Sequence, residues 1–173
     1  MGCREPRSGD DVSLPAVAWE GGEDYAWLRE ALEAVVALGR AIQPEPGIPG
    51  TPVDVFNAAR PALRRLADFQ LMGLVGVDQE GLGFHLVQSD PPESAETVWR
   101  EVEQQTREGS FAWALYQDRP VLVPGHFMGR WVLLHVLSTR SRITGMFIAS
   151  LEEEAPFIPE MAQRVLSILL QSC

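Results

Sequence analysis

Cysteine is nearly missing: in 173 residues there are two, Cys3 and Cys173, one near each end. Neither belongs to a Cys-x-x-Cys pair or a Cys/His cluster, which excludes a disulfide framework and a zinc site of recognisable spacing. Positive charge is also scarce. Lys and Arg total 14 against 24 Asp plus Glu, for a net charge of −10. Proteins that coat nucleic acid or an anionic membrane need a surplus of positive charge over a broad surface, so both partners are excluded. No apolar run reaches the roughly 18 residues that would span a bilayer. The N-terminal MGCREPRSGDD has no apolar stretch of the kind a secretory signal needs. Its Met-Gly-Cys start is that of an acylated protein, but Pro6 stands where the acylation pattern wants Ser or Thr. With no address for another compartment, the expected location is the cytoplasm.

What is present is an ordinary globular composition. Hydrophobic residues make up 46% and charged residues 22%, enough of the first for a real core. The length fits one domain with additional chain at an end. Residues 1–22 are polar and rich in Gly, Pro and Asp, which predicts a disordered lead-in. Over 23–43 the spacing of Trp27, Leu28, Ala31, Leu32, Val35 and Val36 predicts a helix, with Glu23 and Asp24 at its positive end. The segment 44–50, with its prolines and glycines, then predicts a stiff linker.

The domain proper is expected over 51–173. Thr51-Pro52 with Asp54 is a capping box followed by Pro at the first helical turn. The helix it opens carries Val55, Phe56, Ala59, Leu63 and Leu66 inward, and Pro61 should kink or split it. FQLMGLVGV, a turn, and FHLVQS predict a hairpin. After Pro91-Pro92, SAETVWREVEQQTREG predicts a polar helix with Val98, Trp99 and Val102 on one side, capped near Ser94 and closed by Gly109. A short helix around Phe111–Leu115 leads to PVLVP, an edge-like strand bounded by prolines. WVLLHVL and ITGMFIASL are apolar at nearly every position, as strands covered on both faces are. Ser-Thr-Arg-Ser-Arg between them predicts a charged, solvated loop tip, with anion binding by Arg140 and Arg142 as the alternative. From Pro156 to Cys173 a last helix carries Met161, Val165 and Ile168 on one stripe. The fold class is therefore α+β: an antiparallel sheet of about five strands flanked by helices.

Chemistry is thin. The three histidines, His85, His126 and His135, show no paired ligand spacing such as His-x-His. Single-histidine haem ligation is the functional alternative to histidines satisfied by hydrogen bonds in or near the core. His135 stands out because its neighbours are all apolar, and burial there favours the neutral imidazole. Ser110 and Ser138 lack a nucleophile setting, and neither a phosphate loop nor a kinase motif occurs. No catalytic residue and no metal ligand is assigned, and the expected protein is not an enzyme.

Three stretches resemble the GAF domain, a relative of the PAS sensors: GSFAWALYQDRPVLVP, LLHVLSTRSRITGMFIASL with its Thr144-Gly145-Met146 step, and PFIPEMAQRVLSILLQ. With the early strands the resemblance covers roughly residues 50 to 173, and its flavour is that of input domains of bacterial histidine kinases and related regulators. It implies a non-catalytic sensor with a pocket between one sheet face and the intervening helices, and terminal helices packed together in a dimer. Phe84, Trp99, Phe111, Trp113, Tyr116 and His135 are the candidate pocket residues, with plain core packing as the alternative for the aromatics. Trp27, Leu28, Leu32, Val35, Met161, Val165, Ile168 and Leu169 are the candidate dimer interface. The last helix stays apolar to its end, so either a homodimer or an output module is expected to bury it. Relatives bind cyclic nucleotides, bilins, haem or iron, and metabolites. This chain lacks the Asn-Lys…Phe…Asp-Glu set of the nucleotide binders and a body cysteine for a bilin, and has Gly125 where many relatives place Asp. The cofactor is therefore left unassigned. The alternative to a ligand sensor is a scaffold whose pocket is filled by its own side chains.

Overall fold

A computed structural model describes residues 51–78, 83–138 and 143–152, together with three isolated helical positions, Glu33, Val36 and Ser167. The expected lead-in, the linker, the charged tip with Arg140 and Arg142, and nearly all of both terminal helices lie outside the described residues. So do all eight candidate dimer residues.

Helix α1 spans Pro52–Leu66 and begins with the capping box that the sequence announces. The Thr51 hydroxyl oxygen accepts the Asp54 N–H at 3.3 Å, and Asp54 Oδ2 accepts the Thr51 N–H at 2.9 Å. These bonds satisfy donors that a helix start leaves orphaned. Of the two outcomes expected at Pro61, a kink or a split, the split does not occur: one helix runs through Pro61 to Leu66. Pro61 sits on the exposed side, as does Asn57, whose carbonyl loses its intrahelical partner there and can turn to water.

Two strands follow, β1 (Met72–Val77) and β2 (Phe84–Asp90), antiparallel as the hairpin pattern predicts. A 3-10 turn at Pro92–Ser94 leads into α2 (Ala95–Glu108). Ser94 does not cap α2 as expected. Its hydroxyl is spent on the Pro91 carbonyl at 2.6 Å, inside that turn. Gly109 ends α2 at φ 82°, a left-handed conformation that glycine adopts without steric cost. Helix α3 (Ser110–Ala114) is one turn long, and β3 (Val121–Pro124), β4 (Trp131–Ser138) and β5 (Ile143–Leu151) complete the sheet.

The sheet has five antiparallel strands in the order β2-β1-β5-β4-β3. The proline-bounded β3 is an edge strand, and β4 and β5 lie inside with almost every residue buried. Because side chains alternate along a strand, the two faces carry separate cores. On one face Met72, Leu74, Leu133, Leu137, Phe147, Ala149 and Leu151 pack under Phe56, Ala59 and Leu63 of α1. On the other, Val121, Val123, Val132, Leu134, Met146 and Ile148 meet Val98 and Val102 of α2 and Phe111 of α3. Glycine makes two close approaches possible. A Cβ on Gly73 would lie 2.6 Å from a Val98 methyl, and one on Gly145 would collide with the Val75 carbonyl oxygen.

Candidate functional site

The candidate pocket residues divide into three groups. Phe84, Trp99 and Phe111 come together on the α2/α3 face, where Phe111 is fully buried and the other two are half-buried against the same cluster. The Phe84 and Phe111 rings meet edge-on with centroids 4.7 Å apart, the arrangement that the ring quadrupoles favour. Trp113 and Tyr116 are 51% and 88% exposed, so they line no pocket beside Phe111. On the one-turn α3, Phe111 and Ala114 take the inward positions, Ala112 and Trp113 between them are exposed, and beyond it Leu115 is half-buried on the same core while Tyr116 points to water. The expectation that Trp113 and Tyr116 complete the aromatic site is thus corrected.

His135 is corrected as well, because it lies on the opposite face. It stands directly across from Phe147 of β5 and shares the parity of Leu133 and Leu137, all on the α1 side. Period-two alternation places it there; the sequence shows the alternation but not which face the helices after β2 will cover. The residue is 1% exposed, and neither ring nitrogen has a hydrogen-bond partner among the described residues. Burial lowers its pKa from the ordinary 6.5 to about 4, which keeps the imidazole neutral. A neutral imidazole has one donor and one acceptor, and each left unpaired in a core costs about 1–3 kcal/mol. Among the described residues, the hydrogen-bond partner expected for this histidine is not found. His85 is exposed, and the exposed His126 donates from Nε2 to Glu108 Oε2 at 3.0 Å. Hydrogen bonds from Gln104 and then His126 hold the Glu108 carboxyl below its usual range.

Polar groups that the sequence reading passed over organise the α2/α3 face. Glu101 is fully buried, and its Oε2 accepts the backbone N–H groups of His126, Phe127 and Met128 at 2.9, 2.6 and 3.1 Å. Its Oε1 accepts from Gln105 Nε2 at 2.8 Å, and that same nitrogen donates to the Pro124 carbonyl at 2.7 Å. Gln105 Oε1 is buried without a partner among the described residues. Outside this clasp, the Arg100 guanidinium lies over the Phe127 ring, 4.2 Å from its centroid. The β3–β4 loop is thereby fastened to α2 along its length. Gly125 belongs to this loop, and a Cβ there would strike the Gly129 carbonyl oxygen, so an Asp at this position does not fit. A helical-wheel count contained the signal: Glu101 and Gln105 fall on the stripe of Val98 and Val102.

At the far end of the sheet, Asp90 closes β2 against α1. Arg64 reaches its Oδ2 with Nη2 at 2.6 Å and Nε at 3.0 Å, and Arg60 reaches Oδ1 at 3.1 Å. Among the described residues no group of three or more His, Cys, Asp or Glu is placed to hold a metal, and no helix is long and apolar enough to cross a membrane.

No family model and no curated protein matches the sequence. Among solved structures, the chain is similar in fold to the N-acylhomoserine lactone-dependent LuxR-family transcription factor CepR2 of Burkholderia cenocepacia. The two share 17% identity and a TM-score of 0.56 over 86% of this chain and 93% of that one. At that identity the likeness is one of fold alone.

Proposed function

We propose that this chain is a non-catalytic, ligand-responsive regulatory domain of GAF-like build, working as a cytoplasmic homodimer in signal transduction. The observation that carries the proposal is the edge-on contact of half-buried Phe84 with buried Phe111, with half-buried Trp99 packed on the same apolar cluster between the sheet and the α2/α3 layer. Rings that are only partly covered, over an apolar floor, suit a flat or acyl-bearing small molecule, whose polar end would face the rim. The fold likeness to a regulator described as N-acylhomoserine lactone-dependent supports the same class of role. Ligand binding would act by favouring one of two packings of the elements that roof the sheet, a population shift passed to a downstream partner or output module.

The fastened β3–β4 loop fits this role. Glu101 fixes three successive amides, so a change in the position of α2 moves the loop with it. A second reading, a ligand-free interaction scaffold, is favoured by the tight seat of Val98 over Gly73, which leaves no space at that point of the layer. Native mass spectrometry separates the two. The sensor predicts a dimer that carries, or takes up from a panel of acylated and aromatic metabolites, one small molecule per subunit. The scaffold predicts bare polypeptide throughout.

A further inference from the structure

The β3–β4 loop, residues 125–130, is held in two ways. Its ends belong to the sheet: Pro124 pairs with Trp131, and the Gly125 N–H donates to the Arg130 carbonyl at 3.0 Å. Its middle belongs to α2. The His126, Phe127 and Met128 amides all donate to Oε2 of the fully buried Glu101, at 2.9, 2.6 and 3.1 Å. The Arg100 guanidinium over the Phe127 ring, and the bond from His126 to Glu108, extend this grip along the helix.

Glycines stand between the two anchorages. Gly125 precedes the gripped triplet, and Gly129 follows it at φ 143°, where a residue with a side chain is strained. The two meet at the neck of the loop, where a Cβ on Gly125 would strike the Gly129 carbonyl oxygen. Hydrogen bonds to a charged group are about twice as strong as neutral ones, and three of them share this one carboxylate. The grip of α2 is therefore stiff, and the neck is soft. When α2 shifts against the sheet, the triplet should follow the helix while the glycines take up the difference.

The position of α2 is set by a contact with no slack. Val98 sits on Gly73 of β1 so closely that a Cβ on Gly73 would lie 2.6 Å from its methyl. Glu101 follows Val98 by less than one helical turn, with half-buried Trp99 between them. We infer that residues 126–128 are a strap that reads the position of α2, with Glu101 as the positioning residue that couples the two. Displacement of α2 is thereby delivered to the surface at the exposed His126 and Phe127. The input to this strap rests on the sensor reading proposed above, in which a ligand beside Phe84 and Trp99 shifts the layer that contains α2.

The test moves the helix without a ligand. Gly73→Ala crowds the contact between β1 and α2, and Val98→Ala relieves it. Residual dipolar couplings of the backbone amides, measured on the full chain, report the orientation of each element. The expected result is that α2 turns against β4 and β5, in opposite senses in the two variants, and that the His126, Phe127 and Met128 N–H vectors turn with it. Adding Glu101→Ala should free those three vectors from α2 while the helix stays turned. Three results would overturn the inference: an α2 unmoved in both variants, a triplet that keeps the frame of β4 while α2 turns, or a triplet that follows α2 equally without Glu101. The first two are read with Glu101 in place, so they do not depend on the double variant folding. Because no ligand is added, failure here leaves the proposed site standing, and a metabolite panel that binds nothing leaves the coupling standing.

Discussion

His135 and Phe147 stand opposite each other on β4 and β5, on the face of the sheet that α1 covers, while Phe111 closes the other face. One strand thus contributes to two chemically different layers. The α1 layer holds an imidazole that, among the described residues, has no hydrogen-bond partner and lies beside apolar side chains. The α2/α3 layer holds its polar groups in a satisfied clasp, apart from Gln105 Oε1, and leaves two rings partly open.

The first prediction concerns acid. His135 has its folded pKa lowered from 6.5 to about 4, so the unfolded chain binds a proton that the folded one refuses. Its share of stability is intact above pH 6.5 and is lost as pH falls toward 4, by about 3 kcal/mol in all. Carboxylates titrate over part of the same range, so the difference between wild type and His135→Leu isolates the effect. Urea unfolding from pH 7 to 4 should show the variant flatter by that amount. It should also be more stable at pH 7, by about 1–3 kcal/mol, because the unpaired nitrogens are gone. A parallel pair of curves would mean that His135 is hydrogen-bonded or hydrated.

Glu101 gives the second. Removing the carboxylate leaves the amides of His126, Phe127 and Met128 without their acceptor, in a part of the chain where two of the three residues are exposed enough to recruit water. Glu101→Ala should destabilise the fold by on the order of 3 kcal/mol, and Glu101→Gln, which keeps one acceptor oxygen, by less. Hydrogen exchange of the Met128 amide, buried in the fold, should accelerate most in the Ala variant. Unchanged exchange there would show that the loop is held by something other than this carboxylate.

Asp90 gives the third. Its carboxylate side chain is 9% exposed while those of Arg60 and Arg64 are 37% and 42% exposed, so the arginines lose little by being released into water. The cost of Asp90→Ala is therefore expected near 2 kcal/mol rather than the 3–5 kcal/mol of a fully buried pair that is broken. A double-mutant cycle with Arg64→Ala should return a coupling of about 1 kcal/mol or more, since Arg64 makes two of the three contacts. Additive effects would place the cost in lost packing at the end of β2.

The sequence disclosed the elements through patterns that are local. The Thr51 capping box, the Pro91-Pro92 pair that ends β2, the apolar β4 and β5, and Gly109 after α2 each depend on neighbours within a few residues, and each stands in the structure where it was expected. The pairing of faces is not local. Whether His135 meets Phe111 or Phe147 is decided by which side of the sheet α2 returns to, and by a one-residue register that every side chain of β4 obeys together. That is why His135 and the aromatics of α2 and α3 looked like one site and are two. Trp113 and Tyr116 misled for a different reason: a one-turn helix has too few residues for a stripe to reveal its inner side. Glu101 was hidden by its charge, which argues for the surface unless its acceptor role in a distant loop is known.

The most direct test of the central claim is a thermal-shift comparison of wild type, Phe84→Ala, Trp99→Ala and Trp113→Ala against the same panel of acylated and aromatic metabolites. The account predicts a compound that raises the wild-type Tm and the Trp113→Ala Tm by several degrees, and that loses most of this effect in both Phe84→Ala and Trp99→Ala. A panel that leaves the wild-type Tm unmoved, or a shift that survives loss of Phe84 and Trp99 but disappears with Trp113, would contradict it.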